Sequence, residues 1–92
     1  MAGKVRWFII VSRYDSNAPR AISLAVPVTT KYRGSQYEVP LGKLSCFREE
    51  SFANVQGLTA IEWMDLQNCA GQVPGNLLEQ IRQSLRFVLE LP

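Results

Sequence analysis

Apolar residues in this chain come in short runs that break every few positions, and each run has a period. Val5 to Ser12 (VRWFIIVS) is β-branched and aromatic and too brief for a helix, so it predicts a buried strand. Arg13 to Arg20 (RYDSNAPR) carries the Asp, Ser, Asn and Pro of a loop. Ala21 to Thr30 (AISLAVPVTT) predicts a second strand, with Ile22, Leu24, Val26 and Val28 on one face by alternation. Pro27 has no N–H to give to a ladder and argues for a strand edge or a bulge. Lys31 to Gly34 reads as a tight basic turn, and Gln36 to Leu41, alternating at Tyr37, Val39 and Leu41, as the hairpin partner of the second strand. Gly42 to Ser51 is charged and loop-like. Phe52 to Leu58 predicts a short strand, Thr59 to Leu66 a helical turn or a loop, and Gln67 to Val73 a weak strand broken by glycine.

The period then changes. Leu78, Ile81, Leu85 and Val88 follow the 3, 4, 3 spacing of one helix face, widened by Leu77 and Leu89. Pro74-Gly75-Asn76 supplies a stop and a cap, with Asn76 as the N-cap and Glu79 three residues on, as in a capping box. Phe87 lies off the stripe, either a lone surface aromatic or a contact with another subunit. Several short strands closed by one helix predict a mainly β fold with a C-terminal helix, a small SH3-like barrel in a single domain over residues 1–92.

Composition removes chemistries. The 92 residues contain no histidine, so an imidazole acid–base pair, a Ser–His–Asp triad and a histidine-ligated zinc are excluded. Cys46 and Cys69 are far apart, form no CxxC pair, and are expected to be buried or inert thiols. No glycine-rich phosphate loop is present. The longest apolar run, Trp7 to Val11, is too short for a bilayer, and the chain opens without a charged-then-apolar leader; a soluble cytoplasmic protein with no membrane partner is expected. Charge is uneven. Residues 1–43 carry seven basic groups (Lys4, Arg6, Arg13, Arg20, Lys31, Arg33, Lys43) against Asp15 and Glu38, while residues 44–92 carry three against six acidic. A balance of +5 followed by −3 points to an anionic partner for the first half.

The order of these pieces resembles the PemK/MazF toxin family, the endoribonucleases of toxin–antitoxin pairs. Its members carry Arg-Pro, an aliphatic strand ending in Ser, a loop, a strand ending V-P-x-T-T, a short basic or glycine-containing turn, and Y/F-x-V. Here Arg6 precedes Trp7 and the strand FIIVS; Asn17 stands in the loop where the family often has Tyr-Asn; VPVTT occupies Val26 to Thr30; and KYRGSQYEVPL runs from Lys31 to Leu41. NVQGLTAIEW (Asn54 to Trp63) is similar to the family's D-Q-[IV]-x-[ST]-[IVL]-[DE] segment, with one extra residue.

The resemblance implies a PemK/MazF/CcdB-like barrel that pairs as a homodimer and cuts single-stranded RNA at short sequences with no metal or cofactor. It puts the catalytic roles on Arg6 and Thr29, and matches Asn17 and Gln56 to family positions, Asn17 as an RNA contact and Gln56 as either an RNA contact or a residue that holds a loop. The basic turn of Lys31, Tyr32 and Arg33 is read either as a further RNA contact or as a solvated hairpin tip. The chemistry is coherent. RNA brings its own nucleophile, the ribose 2′-OH, and the enzyme holds it in line and stabilises charge building on the phosphate. A guanidinium pairs bidentately with phosphate, and a threonine hydroxyl donates to the same oxygens. An arginine, with a pKa above about 12, is a poor base, and the proton acceptor stays open. Lys31, Tyr32 and Arg33 suit a phosphate backbone and a stacked base. The partner implied is an antitoxin whose disordered acidic tail lies along the basic half; direct DNA binding by the chain alone is not expected.

Two departures weigh on this expectation. Trp7 replaces the family's proline and lacks its restricted φ. Only Met1 to Val5 precede Arg6, where the family has a strand and a loop. The alternatives are a truncated or inactive member that binds RNA or antitoxin without cutting, and a gyrase poison of the same fold.

Overall fold

The computed structural model describes residues 6–92. Five antiparallel strands and one helix follow in order: β1 (Phe8–Ile10), β2 (Ile22–Thr29), β3 (Glu38–Gly42), β4 (Ser51–Asn54), β5 (Thr59–Glu62) and α1 (Gly75–Val88). The first strand is shorter than the run that predicts it; Val5 lies outside the described residues, and beyond Ile10 the Ser12 hydroxyl takes over from the ladder, accepting the Leu24 N–H at 2.9 Å.

β2 is the spine. It pairs with β1 through Phe8↔Pro27, Ile9↔Val26 and Ile10↔Ala25. Its other edge is shared: Ile22 to Ala25 face β5, and Val28 and Thr29 face β4. Pro27 therefore sits neither on a free edge nor in a bulge. The Val28 N–H donates to Trp7 O at 2.9 Å, so by strand alternation the Pro27 nitrogen points to the opposite edge, into the gap between β5 and β4 where no ladder bond is needed. The pyrrolidine ring meets Gly57 there: a Cβ built on Gly57 would lie 2.7 Å from Pro27 Cγ.

With both edges of β2 taken, the expected hairpin between Ala21–Thr30 and Gln36–Leu41 is replaced. β3 pairs with β4, through Glu38↔Asn54, Val39↔Ala53 and Pro40↔Phe52, with a register shift before Gly42↔Ser51. Lys31 to Gly34 is accordingly part of a longer excursion from Thr30 to Tyr37 rather than a tight turn. Thr59–Leu66, expected as a helical turn or a loop, instead begins as a strand, β5, because Thr59 to Glu62 pair with the free edge of β2, and only then makes a single 3₁₀ turn, Trp63–Asp65; the Trp63 indole N–H donates to Ser23 Oγ at 2.9 Å. Phe52–Leu58 divides into β4 and a 3₁₀ turn at Val55–Gly57. Gln67 to Val73 forms no strand and runs as irregular chain.

Alternation along β2 also departs from the simple pattern. Ser23 and Ala25 are buried while Ile22 and Leu24 are about 40% exposed, and Val26 is buried again. The sheet curls, and Trp63 covers the early part of β2 from the side opposite Ile22 and Leu24. The core joins Ile9, Val26, Val39, Leu41, Ala53 and Val55 to Ile81 of α1. The helix lies against β3 and the Val55–Gly57 turn, and Ser84 donates to Gln36 O at 2.7 Å.

The helix forms where predicted, but its core face runs through Leu77, Ile81, Ser84, Leu85 and Val88, while Leu78 borders the large groove and Leu89 is half exposed, and its cap is also different. Pro74 occupies the N-cap, Asn76 is already inside the first turn, and Glu79 lies 3.7 Å from Arg82 and 3.8 Å from Arg86. At the other end Glu90 adopts φ 56°, and the N–H groups of Glu90 and Leu91 return to Phe87 O and Arg86 O, closing the helix without glycine. Phe87 packs against Tyr37, ring centroids 5.7 Å apart. Among the described residues no helix is long and apolar enough to cross a membrane.

Candidate functional site

Strand alternation makes a polar face over the core. Val28, Val39, Leu41 and Ala53 point inward or pack on the core. Their neighbours Thr29, Glu38, Phe52 and Asn54 fall on the opposite face by the pleat, and the registers Thr29↔Phe52 and Glu38↔Asn54 bring them side by side. A cleft of about 340 Å³ opens on this face, lined by Thr29, Lys31, Arg33, Ser35, Tyr37, Glu38, Asn54 and Gln56.

Hydrogen bonds shape its wall. Thr29 Oγ1 accepts the Lys31 N–H at 3.1 Å, which leaves the hydroxyl proton free to be donated elsewhere. Glu38 Oε1 accepts the Arg33 N–H at 3.1 Å, the Ser35 N–H at 3.3 Å and the Ser35 hydroxyl at 3.0 Å. Ser35 Oγ in turn accepts the Tyr37 N–H at 3.2 Å. Partial burial works against the Glu38 charge, but the Ser35 hydroxyl, the Ser35 and Arg33 amides and the Arg33 guanidinium outweigh it and hold its carboxyl below the usual glutamate range. Gln56, itself exposed, stands in the chain between the buried Val55 and Gly57, which lies close against Pro27.

A second concavity, about 1420 Å³, is larger, open and mainly apolar. Trp7 to Ile10, Leu44 to Phe47, β5 and the irregular chain from Asp65 to Pro74 line it, and Arg6 stands among them. Volume favours this groove; the smaller cleft gathers the donors and charges that chemistry on a phosphate requires, and it is the candidate site.

The two residues expected to be catalytic border different concavities, Thr29 the cleft and Arg6 the groove. They are nonetheless related through the ladder. The register of β1 on β2, carried past Trp7 by the Val28–Trp7 bond, sets Arg6 opposite Thr29 and on the same face. Trp7, in the place of the family's proline, packs edge-on against Phe47 at 5.7 Å and anchors the strand start. Lys31, Arg33 and Gln56 join Thr29 in the cleft. Tyr32 stacks on Phe52 with centroids 4.5 Å apart and planes 10° from parallel, one strand position from the cleft wall. Asn17 is exposed in the Asp15 turn and lines neither concavity among the described residues.

A profile of the PemK-like, MazF-like toxins of type II toxin–antitoxin systems matches residues 1–89. The chain belongs to the PemK/MazF-like toxin family. No curated protein matches it. Among solved structures, the Mycobacterium tuberculosis toxin MazF-mt6 is 20% identical, superposes with a TM-score of 0.79, and aligns over 95% of this chain and 88% of its own. A mycobacterial endoribonuclease solved in complex with its cognate antitoxin is 25% identical with a TM-score of 0.80, covering 92% of this chain and 81% of the other. The mainly β fold with a C-terminal helix is that of the MazF-like toxins.

Sequence reasoning missed Glu38, Ser35, Asn54 and Tyr37 as cleft residues. A signal existed for two of them: Ser35-x-x-Glu38 has the spacing at which a serine and a glutamate satisfy each other's backbone at a turn. Of the two states expected for the thiols, burial is excluded, since Cys46 and Cys69 are both free and exposed on the large groove. They sit on irregular loops, where no strand or helix face decides burial.

Proposed function

We propose that this toxin is a metal-independent endoribonuclease that cleaves single-stranded RNA by attack of the ribose 2′-OH on the adjacent phosphorus. The observation that carries this reading is the convergence of the Thr29 hydroxyl with Lys31, Arg33 and Gln56 in one cleft, with Arg6 across the ladder. In the reaction the P–O2′ bond forms and the P–O5′ bond breaks, leaving a 2′,3′-cyclic phosphate and a 5′-OH. Thr29 and Arg6 stabilise the charge that accumulates on the phosphate oxygens. Lys31 and Arg33 hold the flanking backbone, Tyr32 offers its ring beside Phe52 for a base, and Asn17 contacts RNA further along the strand.

The same basic half supports an antitoxin with an acidic tail as partner, which would bind salt-sensitively. The exposed Ile22 and Leu24 support pairing with a second copy. The protein would act in the cytoplasm.

Purified protein incubated with long single-stranded RNA in chelator tests the reading. Cleavage to cyclic-phosphate ends is expected, abolished by Arg6→Ala and by Thr29→Ala. RNA bound but never cut would overturn it in favour of a binding module, and inhibited supercoiling with intact RNA would mark a gyrase poison.

A further inference from the structure

A carboxylate is out of place in a cleft meant for phosphate. At a few ångströms a free negative charge would repel the substrate. Glu38 is nevertheless on the cleft wall, at the first position of β3. Its bonds explain the arrangement. Its oxygens are occupied by the Arg33 amide, the Ser35 amide and the Ser35 hydroxyl, so the charge is spent on the chain from Arg33 to Ser35. That chain contains Gly34 at φ 70°, a conformation in which glycine carries little penalty. The excursion between Thr30 and Tyr37 has no strand partner; the Tyr32 ring on Phe52 and the Ser84 hydroxyl on Gln36 O fix two points along it, and within it Lys31 and Arg33 supply the cleft's cations. Each is tied at its backbone: Lys31 to Thr29 Oγ1 and Arg33 to Glu38.

We propose that Glu38 is a positioning residue that folds the Lys31–Tyr37 loop so that Lys31 and Arg33 stand as phosphate ligands beside Thr29. The proposal rests on the RNA reading of the cleft. It assigns Glu38 no contact with the reacting atoms. The carboxylate trades a local repulsion for the placement of two cations, and the Ser35 relay to the Tyr37 N–H extends the same order to the start of β3. Charge-assisted bonds of this kind are the strong ones; a neutral amide at the position keeps one oxygen for these donors, loses the charge that strengthens the bonds, and turns an N–H₂ group toward the Arg33 N–H that also reaches Oε2.

The test uses a single-stranded RNA with 2′-O-methyl riboses, which binds without being cut, titrated against salt. Each phosphate contact contributes about 0.7 to the slope of log affinity against log salt for single strands. Glu38→Gln is expected to lower the slope by up to about 1.4, the value expected for losing both cations in Lys31→Ala with Arg33→Ala, and to add nothing further in that background. Glu38→Asp is expected to recover part of the slope, and on cleavable RNA Glu38→Gln is expected to lose about tenfold in kcat/KM. As an independent readout, the Arg33 and Ser35 amide resonances of the wild type should move together in acid, and stay still in Glu38→Gln. An unchanged salt slope in a folded Glu38→Gln protein, or amide resonances indifferent to acid, would overturn the role of Glu38 alone. Binding without cleavage of ordinary RNA would overturn the nuclease reading and leave the slope to decide on Glu38. A chain that binds no single-stranded RNA would overturn both.

Discussion

The small cleft around Thr29 and the large groove around Arg6 are made of different material. The cleft is a strand face: alternation in β2, β3 and β4 sets its floor, and a carboxylate with its hydrogen-bond donors shapes its wall. The groove is four times the volume, and much of its lining is irregular chain between β5 and α1. Its apolar lining includes Trp7, Phe47 and Leu78. Size and order therefore run in opposite directions here. A catalytic site needs donors held in place before the substrate arrives, and that is the property of the smaller space.

The contrast can be broken most forcefully at Thr29. Thr29→Val keeps the shape and removes the hydroxyl, and cleavage of single-stranded RNA is expected to fall by about 10²–10³-fold with the melting temperature nearly unchanged. Equal losses in both would show that Thr29 only supports the strand. The next effect is shared by both regions. Ile81→Ala empties a fully buried position in the core beneath β3 and α1 and should cost about 2–5 kcal/mol in urea unfolding. A smaller effect follows from the depressed carboxyl of Glu38. A carboxyl whose folded pKa is lowered stabilises the fold fully above its unfolded value, and that contribution is lost as pH falls through the folded value. Wild type should melt above Glu38→Gln at neutral pH, with the gap closing in the acid range below ordinary glutamate titration. The smallest effect belongs to the groove: alkylating the exposed Cys46 and Cys69 is expected to leave RNA cleavage within about twofold, because neither thiol lines the cleft. A large loss on alkylation would show that the groove does more for cleavage than carry Arg6 on its border.

Legibility from the residues followed the strength of the local pattern. The helix was readable because Leu78, Ile81, Leu85 and Val88 repeat at a period no strand shares. β2 and β3 were readable as strands for the same reason, but their partnership was not, since alternation says which face a residue takes and nothing about which strand lies beside it. β5 hid in Thr59–Glu62 because only Ile61 among its side chains is even half buried. Thr29, Lys31, Arg33 and Gln56 could be named from the family's motif. Glu38 could not, because the motif marks groups that meet the substrate, and Glu38 faces its own chain.

Pro27 and Gly57 carry a last consequence. The ring of one fills the space where the other would hold a side chain, so the two positions share a single allotment of volume. A side chain at position 57 cannot be gained while the ring at position 27 remains. Among descendants of this sequence, a methyl gained at position 57 should be found where the ring at position 27 has been lost.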